Sequence, residues 1–336
     1  MDEINLFFNH QQYLFNPSIN QRDMLFQNNR LNSNRPIHTY SIVARDPKTG
    51  EMGVGVQSHW FSVGGLVSWG EAGVGVVATQ SFINKSFGLR GLELLKQGKS
   101  PQEVLEILLT TDEEKEVRQV ALLDKNGRVA THTGARCIKY ANHRIGENFS
   151  VQANMMLTDK VCAAMAETFQ NSRELPLPER MIRSLEAAES MGGDIRGKQS
   201  AALLIVRGEI AENAWEDPWI DLRVEDHLEP VVELKRLLRL RRAYEHMNNA
   251  DRALEKGGIE EALAEYNIAQ EMCPDNYEMK YWTAVSLAIK NNIPQALVLF
   301  KEIFTYNENW RTFTERLPEV GFLNVNKDDL KRILSI

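Results

Sequence analysis

Cysteine is scarce in this chain of 336 residues: Cys137, Cys162 and Cys273 are its only three. Their wide spacing makes neither a disulfide framework nor a CxxC metal half-site, and such usage fits a reducing cytoplasm. Long apolar runs are absent too, and none approaches the roughly 18–20 residues of a membrane span. The N-terminus has no positive stretch leading into an apolar core, so neither a secretory leader nor a membrane anchor is expected. Basic residues do not dominate: 39 Lys and Arg stand against 46 Asp and Glu, a formal net charge of −7. A general nucleic-acid binder should carry a basic footprint instead. Tyr and Trp are dispersed rather than set among basic residues, which removes a stacking platform for single strands. The seven histidines (His10, His38, His59, His132, His143, His227, His246) show no ligand spacing, so no metal and no cofactor are expected. GxSxG, Walker A and HExxH motifs are missing.

What is present suits two domains, on a prior of about 100–200 residues each. A hydrophobic content of 43% supplies enough apolar surface for their cores. Residues 1–38 stand apart, rich in Asn and Gln, with Pro17 and Pro36 and scattered aromatics lacking a helical or strand period. They read as a poorly ordered extension or a pro-segment.

Residues 39–226 read as one α+β domain. Ser41–Ala44 and Met52–Ser58 are strands on either side of a turn, Asp46–Gly50, built from turn-forming residues. Gly73–Thr79 reads as a further strand. It matches G-x-G-x-x-A formally, but a dinucleotide fingerprint closes a strand and opens a helix, so that reading is rejected. Phe87–Gln97 and Pro101–Leu109 read as helices, the second with Ser100 as N-cap, Pro101 at its first position and Glu103 completing a capping box. Val117–Leu123 and Val129–Thr133 form a hairpin about Asp124-Lys-Asn-Gly127. Phe149–Ala153 is a strand, Thr158–Gln170 and Pro178–Met191 are amphipathic helices, and Gln199–Val206 and Trp219–Val224 are the last strands. Hairpin-linked strands alternating with paired helices predict a four-layer αββα arrangement rather than a parallel βαβ array.

Residues 227–244 read as a connecting helix, and 245–336 as an all-α repeat domain. Gly258, Ala262, Leu263 and Tyr266 recur as Asn292, Ala296, Leu297 and Phe300, each 34 positions on. That is the tetratricopeptide period, with a small residue where helices cross and an aromatic one turn later. A closing helix is expected over Lys327–Leu334.

Candidate site residues cluster at strand ends. Gln57, Ser58 and His59 end one strand; Thr79, Gln80 and Ser81 end another, with Asn84 beyond. Asp194 and Arg196 lie in the glycine-rich loop Gly192–Gly197, ahead of Gln199 and Ser200. Such a loop brings backbone N–H groups and a guanidinium to an anionic group, or it is a structural Asp194–Arg196 turn. His132 and Thr133, with Gln152 and Asn154, are further candidates. Thr39 heads the first strand. It is either a β-branched strand residue or, with its own α-amine freed, a nucleophile whose base, at a pKa of about 7.7–8.0, is far better suited to neutral pH than a lysine.

Taken in order, Thr39-Tyr-Ser-Ile-Val-Ala-Arg-Asp-Pro, Gly53-Val-Gly-Val-Gln-Ser58, Gly73-Val-Gly-Val-Val-Ala-Thr-Gln80, His132-Thr-Gly134, Gln152-Ala-Asn-Met155, Gly192-Gly-Asp-Ile-Arg-Gly-Lys-Gln-Ser200 and Asp221-Leu-Arg-Val-Glu-Asp-His227 resemble one family. It is the domain of unknown function 1028 family, grouped with the N-terminal-nucleophile (Ntn) hydrolases, and the likeness covers about residues 38–240. The resemblance implies an Ntn-like αββα sandwich and hydrolysis of an amide bond in a small or peptide-like substrate. Thr39 is then the nucleophile and its freed amine the base. Asn154 or Thr79, with backbone amides, would hold the oxyanion, and Asp194 and Arg196 would orient substrate or amine. Gln57, Ser58, Gln80, His132, Arg196, Gln199 and Ser200 are expected to line the substrate. Ser41, on the same strand face as Thr39, is the second choice of nucleophile. Family members begin at or near this threonine, whereas 38 residues precede it here, so the N-terminal mechanism requires cleavage of the His38–Thr39 bond. A rival expectation from another class is a non-catalytic scaffold that binds a protein partner through the helical repeats. Those repeats would equally suit a cover over the active-site mouth or a homo-oligomer contact.

Overall fold

The computed structural model describes residues 39–210, 212–213 and 217–336; the extension read over residues 1–38 lies outside them. Among the described residues, ten strands form two antiparallel sheets. The larger has the order β10-β9-β2-β1-β8-β7, from β1 (Thr39–Arg45), β2 (Met52–Ser58), β7 (Asn142–Gly146), β8 (Phe149–Ala153), β9 (Ser200–Val206) and β10 (Ile220–Val224). The smaller has the order β3-β4-β5-β6, from β3 (Ser68–Glu71), β4 (Gly75–Ser81), β5 (Arg118–Asp124) and β6 (Val129–Thr133).

Local chemistry sets the turns. The Asp46 carboxylate accepts from the amides of Lys48 (2.7 Å) and Thr49 (3.3 Å), which closes the β1–β2 turn. The Asp124 carbonyl accepts from Gly127 N at 2.9 Å, and β5 and β6 leave that turn in register. A short helix, α1 (Gly64–Val67), precedes β3. Helix α2 (Ser86–Lys96) follows β4, and α3 (Pro101–Thr110) opens on the capping box of Ser100 and Glu103.

Strand alternation then divides the core. Val43, Val54, Val56, Val76, Ala78, Ala121, Leu123 and Ala202 meet between the two sheets. The other face of the smaller sheet, Val77, Val120 and Leu122, packs on Phe87 and Leu92 of α2 and Val104 and Leu108 of α3. The other face of the larger sheet, Ile42, Val151, Leu203 and Ile205, packs on α4 (Val161–Asn171) and α5 (Leu177–Ser190). A Cβ at Gly53 would lie 2.5 Å from Ile205 Cδ1 and 2.9 Å from both the Leu204 carbonyl and Met181 Sδ, so β2 needs its glycine there.

Six helices follow the sheets: α6 (Pro230–Glu255), α7 (Ile259–Met272), α8 (Tyr277–Ile289), α9 (Ile293–Tyr306), α10 (Asn309–Arg316) and α11 (Lys327–Leu334). Helix α6 runs unbroken through 244/245, where a connector was expected to give way to the repeats. Its first half buries Leu234 and Leu238 against the larger sheet and α5; its second half buries Ala243, Met247 and Ala250 with Ala262 and Tyr266 of α7. Gly258 and Asn292 are the N-cap residues of α7 and α9. Ala262 and Tyr266 of α7 and Ala296 and Phe300 of α9 are all fully buried. No helix among the described residues is long and apolar enough to cross a membrane.

Among the strands and α-helices before residue 227, three escaped the sequence reading: α1, β3 and β7. Both strands are sheet edges, β7 (Asn-His-Arg-Ile-Gly) largely exposed and β3 (Ser-Trp-Gly-Glu) only half-buried, so neither carries a clean apolar alternation. Gly73 lies outside β4, in a turn at φ 68°, and a strand rather than a nucleotide loop follows.

Candidate active site

Thr39 is the first residue of β1 and is fully buried. It lies opposite Ser58 of β2, and its carbonyl accepts from Asn154 N at 3.1 Å just past the end of β8. Alternation sends Tyr40, Ile42 and Ala44 toward the helices and leaves Thr39, Ser41 and Val43 on the face shared with the smaller sheet.

On that shared face the apolar filling gives way to carboxamides and hydroxyls. Gln80 of β4 donates from Nε2 to the Thr39 carbonyl (3.1 Å) and to Gln119 Oε1 (2.7 Å), and its Oε1 accepts from Ser41 Oγ at 2.7 Å. Gln152 Nε2 donates to Ser41 Oγ (3.2 Å) and to the Ala78 carbonyl (3.1 Å). Asn154 Nδ2 donates to Gln119 Oε1 at 2.9 Å, and Gln119 Nε2 donates to Thr133 Oγ1 (2.8 Å) and the Ala153 carbonyl (3.0 Å). Ser41, Gln80, Gln119, Gln152 and Asn154 are all fully buried. Charge-free groups bonded across a sheet interface hold the start of β1 in one geometry at no Born cost.

A second anchor lies on the other side of Thr39. Asp194, its side chain fully buried, accepts from His59 N (3.1 Å), Arg196 N (2.9 Å), Arg196 Nε (3.1 Å) and Arg196 Nη2 (2.8 Å). It thus ties the segment after Ser58 to the loop 192–197. Ser200 Oγ donates to the Trp60 carbonyl and accepts from Val63 N (3.1 Å), fixing the continuation of the same segment. On the helix side, Tyr40 donates its hydroxyl to Glu189, which also pairs with Lys198 at 3.3 Å. Burial, then the Glu189 carboxylate, raises the Tyr40 phenol well above its ordinary value.

Several expected residues lie elsewhere. Thr79 faces α2, its hydroxyl 3.5 Å from the Asn84 carbonyl, so it is no oxyanion donor at Thr39; its neighbour Gln80 is the inward residue. His132 likewise turns outward to the Lys115 carbonyl (2.9 Å), and Thr133 is the residue that meets Gln119. Gln57 shares register with Tyr40 and therefore lies on the helix face of its sheet, buried. Gln199 donates to Asp226 at 3.1 Å on the surface. Ser58, Gln80, Asn154, Asp194 and Arg196 do assemble around the start of β1. Gln119, central to the network, was missed: only the register of β5 reveals that it faces inward opposite Gln80.

Beside this network is a cavity of about 590 Å³, lined by Thr133, Cys137, Tyr140, Asn142, His143 and Asp159, among others. Thr133 Oγ1 lies 2.9 Å from His143 Nδ1. Burial, reinforced by His132, lowers the His143 pKa and favours a neutral imidazole. Among the described residues no group of three or more His, Cys, Asp or Glu side chains could hold a metal ion.

No curated protein matches the chain. Five chains of solved structures do, among them protein SPO2555 from Silicibacter pomeroyi, a DUF1028 protein. The match to it has 28% identity and a TM-score of 0.54, and covers 60% of this chain and 85% of that one. Residues 39–234 match the family of unknown function DUF1028, more than half of the sequence, and the chain belongs to that family.

Proposed function

We propose that the sheets and their outer helix pairs form an Ntn-hydrolase-like αββα sandwich, and that the protein is an amidohydrolase with Thr39 as nucleophile. The observation that carries this reading is the position of Thr39. It opens β1 with its carbonyl bonded by Gln80 and Asn154, and the family match begins on the same residue.

Thr39 Oγ first attacks the carbonyl carbon of His38. The peptide C–N bond breaks, the α-amine of Thr39 is released, and water hydrolyses the resulting ester. In turnover the amine takes the hydroxyl proton as Oγ adds to the substrate amide. Collapse of the tetrahedral intermediate breaks the substrate C–N bond, and the amine returns the proton to the leaving nitrogen. Water, deprotonated by the same amine, then cleaves the acyl ester and frees the acid. No step draws on a metal or cofactor. Gln80, Asn154 and Asp194 act as positioning residues, and the cavity at Thr133 and His143 receives a small or peptide-like substrate. The C-terminal helices, read as tetratricopeptide-like repeats, cover or extend this body.

The test is a screen of amide and short-peptide substrates with the full-length protein. Thr39→Ala should abolish any hydrolysis found, with an unchanged circular dichroism spectrum. Full activity in that variant removes Thr39 as nucleophile and the N-terminal mechanism with it.

A further inference from the structure

At the opposite end of β1 from Thr39, a cavity of about 290 Å³ lies between the β1–β2 turn, the β7–β8 turn and helices α4 and α5. The seven-residue strand places it about 20 Å from Thr39 at the usual rise per residue. Four cationic side chains line it, Arg45, Lys48, Arg173 and Arg180, against two carboxylates, Asp46 and Glu147. The local excess of two positive charges stands in a chain whose formal net charge is −7.

Arg180 is the key group. It is only 7% exposed, and its guanidinium lies 4.1 Å from the centre of the Phe169 ring. Its Nη2 donates to the Phe169 carbonyl at 3.3 Å, but the nearest carboxylate, Asp46, is 3.9 Å away. One oxygen of that carboxylate, Oδ1, accepts from the Lys48 and Thr49 amides, and the other, Oδ2, faces Arg180 at 3.9 Å, beyond hydrogen-bond distance. Among the described residues, Arg180 Nε finds no acceptor, and neither does Arg45 Nε. Burial, then the competing influence of Asp46 and Arg173, leaves the Arg180 guanidinium below its ordinary pKa. A buried cation whose Nε donor is unused and whose nearest carboxylate is 3.9 Å away, joined by further cations at a cavity, is under-compensated, because buried charges are ordinarily paired.

We propose that this cavity binds a phosphate monoester of a small molecule, with Arg45, Arg173 and Arg180 around its oxygens and Lys48 at the rim. Such an ester carries a charge of about −1.5 to −2 at neutral pH, which matches the excess; a monocarboxylate would leave part of it uncompensated. Guanidinium forks suit its tetrahedral oxygens better than a single ammonium does. The site is separate from Thr39 and stands whether or not that residue is a nucleophile.

The test titrates the full-length protein with inorganic phosphate at low salt, followed by calorimetry and by ³¹P line width. Saturable binding with a Kd of about 1 mM or tighter is expected, while chloride at matched ionic strength reproduces none of it. Arg173→Gln, an exposed change that should leave the fold intact, should weaken binding at least several-fold, and Arg180→Lys should do so while keeping the charge. Thr39→Ala should bind as the parent does. Absence of saturable phosphate binding up to about 10 mM, or binding indifferent to Arg173→Gln and Arg180→Lys, overturns the proposal.

Discussion

The Gln80 carboxamide, on the smaller sheet, donates to the backbone carbonyl of Thr39 on the larger one at 3.1 Å. The same amide nitrogen also donates to Gln119 Oε1, and the carboxamide oxygen accepts from Ser41. One side chain therefore satisfies three buried groups. Gln80→Met keeps nearly the same volume but leaves those groups short of partners. It should lower unfolding free energy by roughly 2–3 kcal/mol, read from urea denaturation with an unchanged m-value. A loss below about 0.5 kcal/mol would mean that water or a neighbouring amide replaces it.

A second buried polar pair anchors the smaller sheet. Asp112 accepts from Arg118 Nε at 2.8 Å and from Asn84 Nδ2 at 3.2 Å, and both ionic side chains are at most 10% exposed. Burial works to raise the Asp112 pKa, but the bonds from Arg118, the Glu114 amide and Asn84 outweigh it and hold the carboxyl below its usual value. A depressed carboxylate stabilises the fold above its unfolded pKa of about 3.9 and loses that contribution as pH falls through the folded value. Asp112→Asn should therefore cost about 3 kcal/mol at neutral pH, and the gap to the parent should narrow below about pH 4. Equal gaps at pH 7 and pH 3 in a denaturation series would contradict this account.

Burial pushes the Cys162 thiol up to about 12, since Cys162 faces the core of the larger sheet and its helices. The thiolate is the reactive form, so Cys162 should resist maleimide in the native protein at pH 8 and react once urea unfolds it. Peptide mapping of the labelled chain reads this directly. Rapid native labelling of Cys162 would show that α4 opens readily.

Features set within a few residues were legible in the sequence. The Asp46 turn, the Ser100–Glu103 capping box and the Asp124–Gly127 hairpin each depend on side chains next to the backbone they fix. Which face of a strand a residue takes depends on register, and this is why Thr79 and His132 were expected at the site alongside their neighbours Gln80 and Thr133, which alone face inward. The Asp194–Arg196 turn was visible as a local motif. Its bond to His59 N, 135 positions away, could come only from the folded chain. The 34-residue recurrence falls on α7 and α9, but helix α6 has no breaker near 244, so the sequence placed a boundary inside a continuous helix.

The central claim is that Thr39 becomes an N-terminal nucleophile, and the intact mass of the purified protein with sequencing of its first residues tests it most directly. A peptide-bonded nitrogen has lost its basic lone pair, so the amine must be free before it can take the hydroxyl proton. The account predicts a mature chain that starts at Thr39. It also predicts that Thr39→Ala blocks the cut, while Thr39→Ser and Thr39→Cys, which keep a nucleophilic atom on Cβ, permit it. An active protein whose chain still runs intact through the His38–Thr39 bond, with Thr39→Ala unchanged in mass and activity, would contradict it.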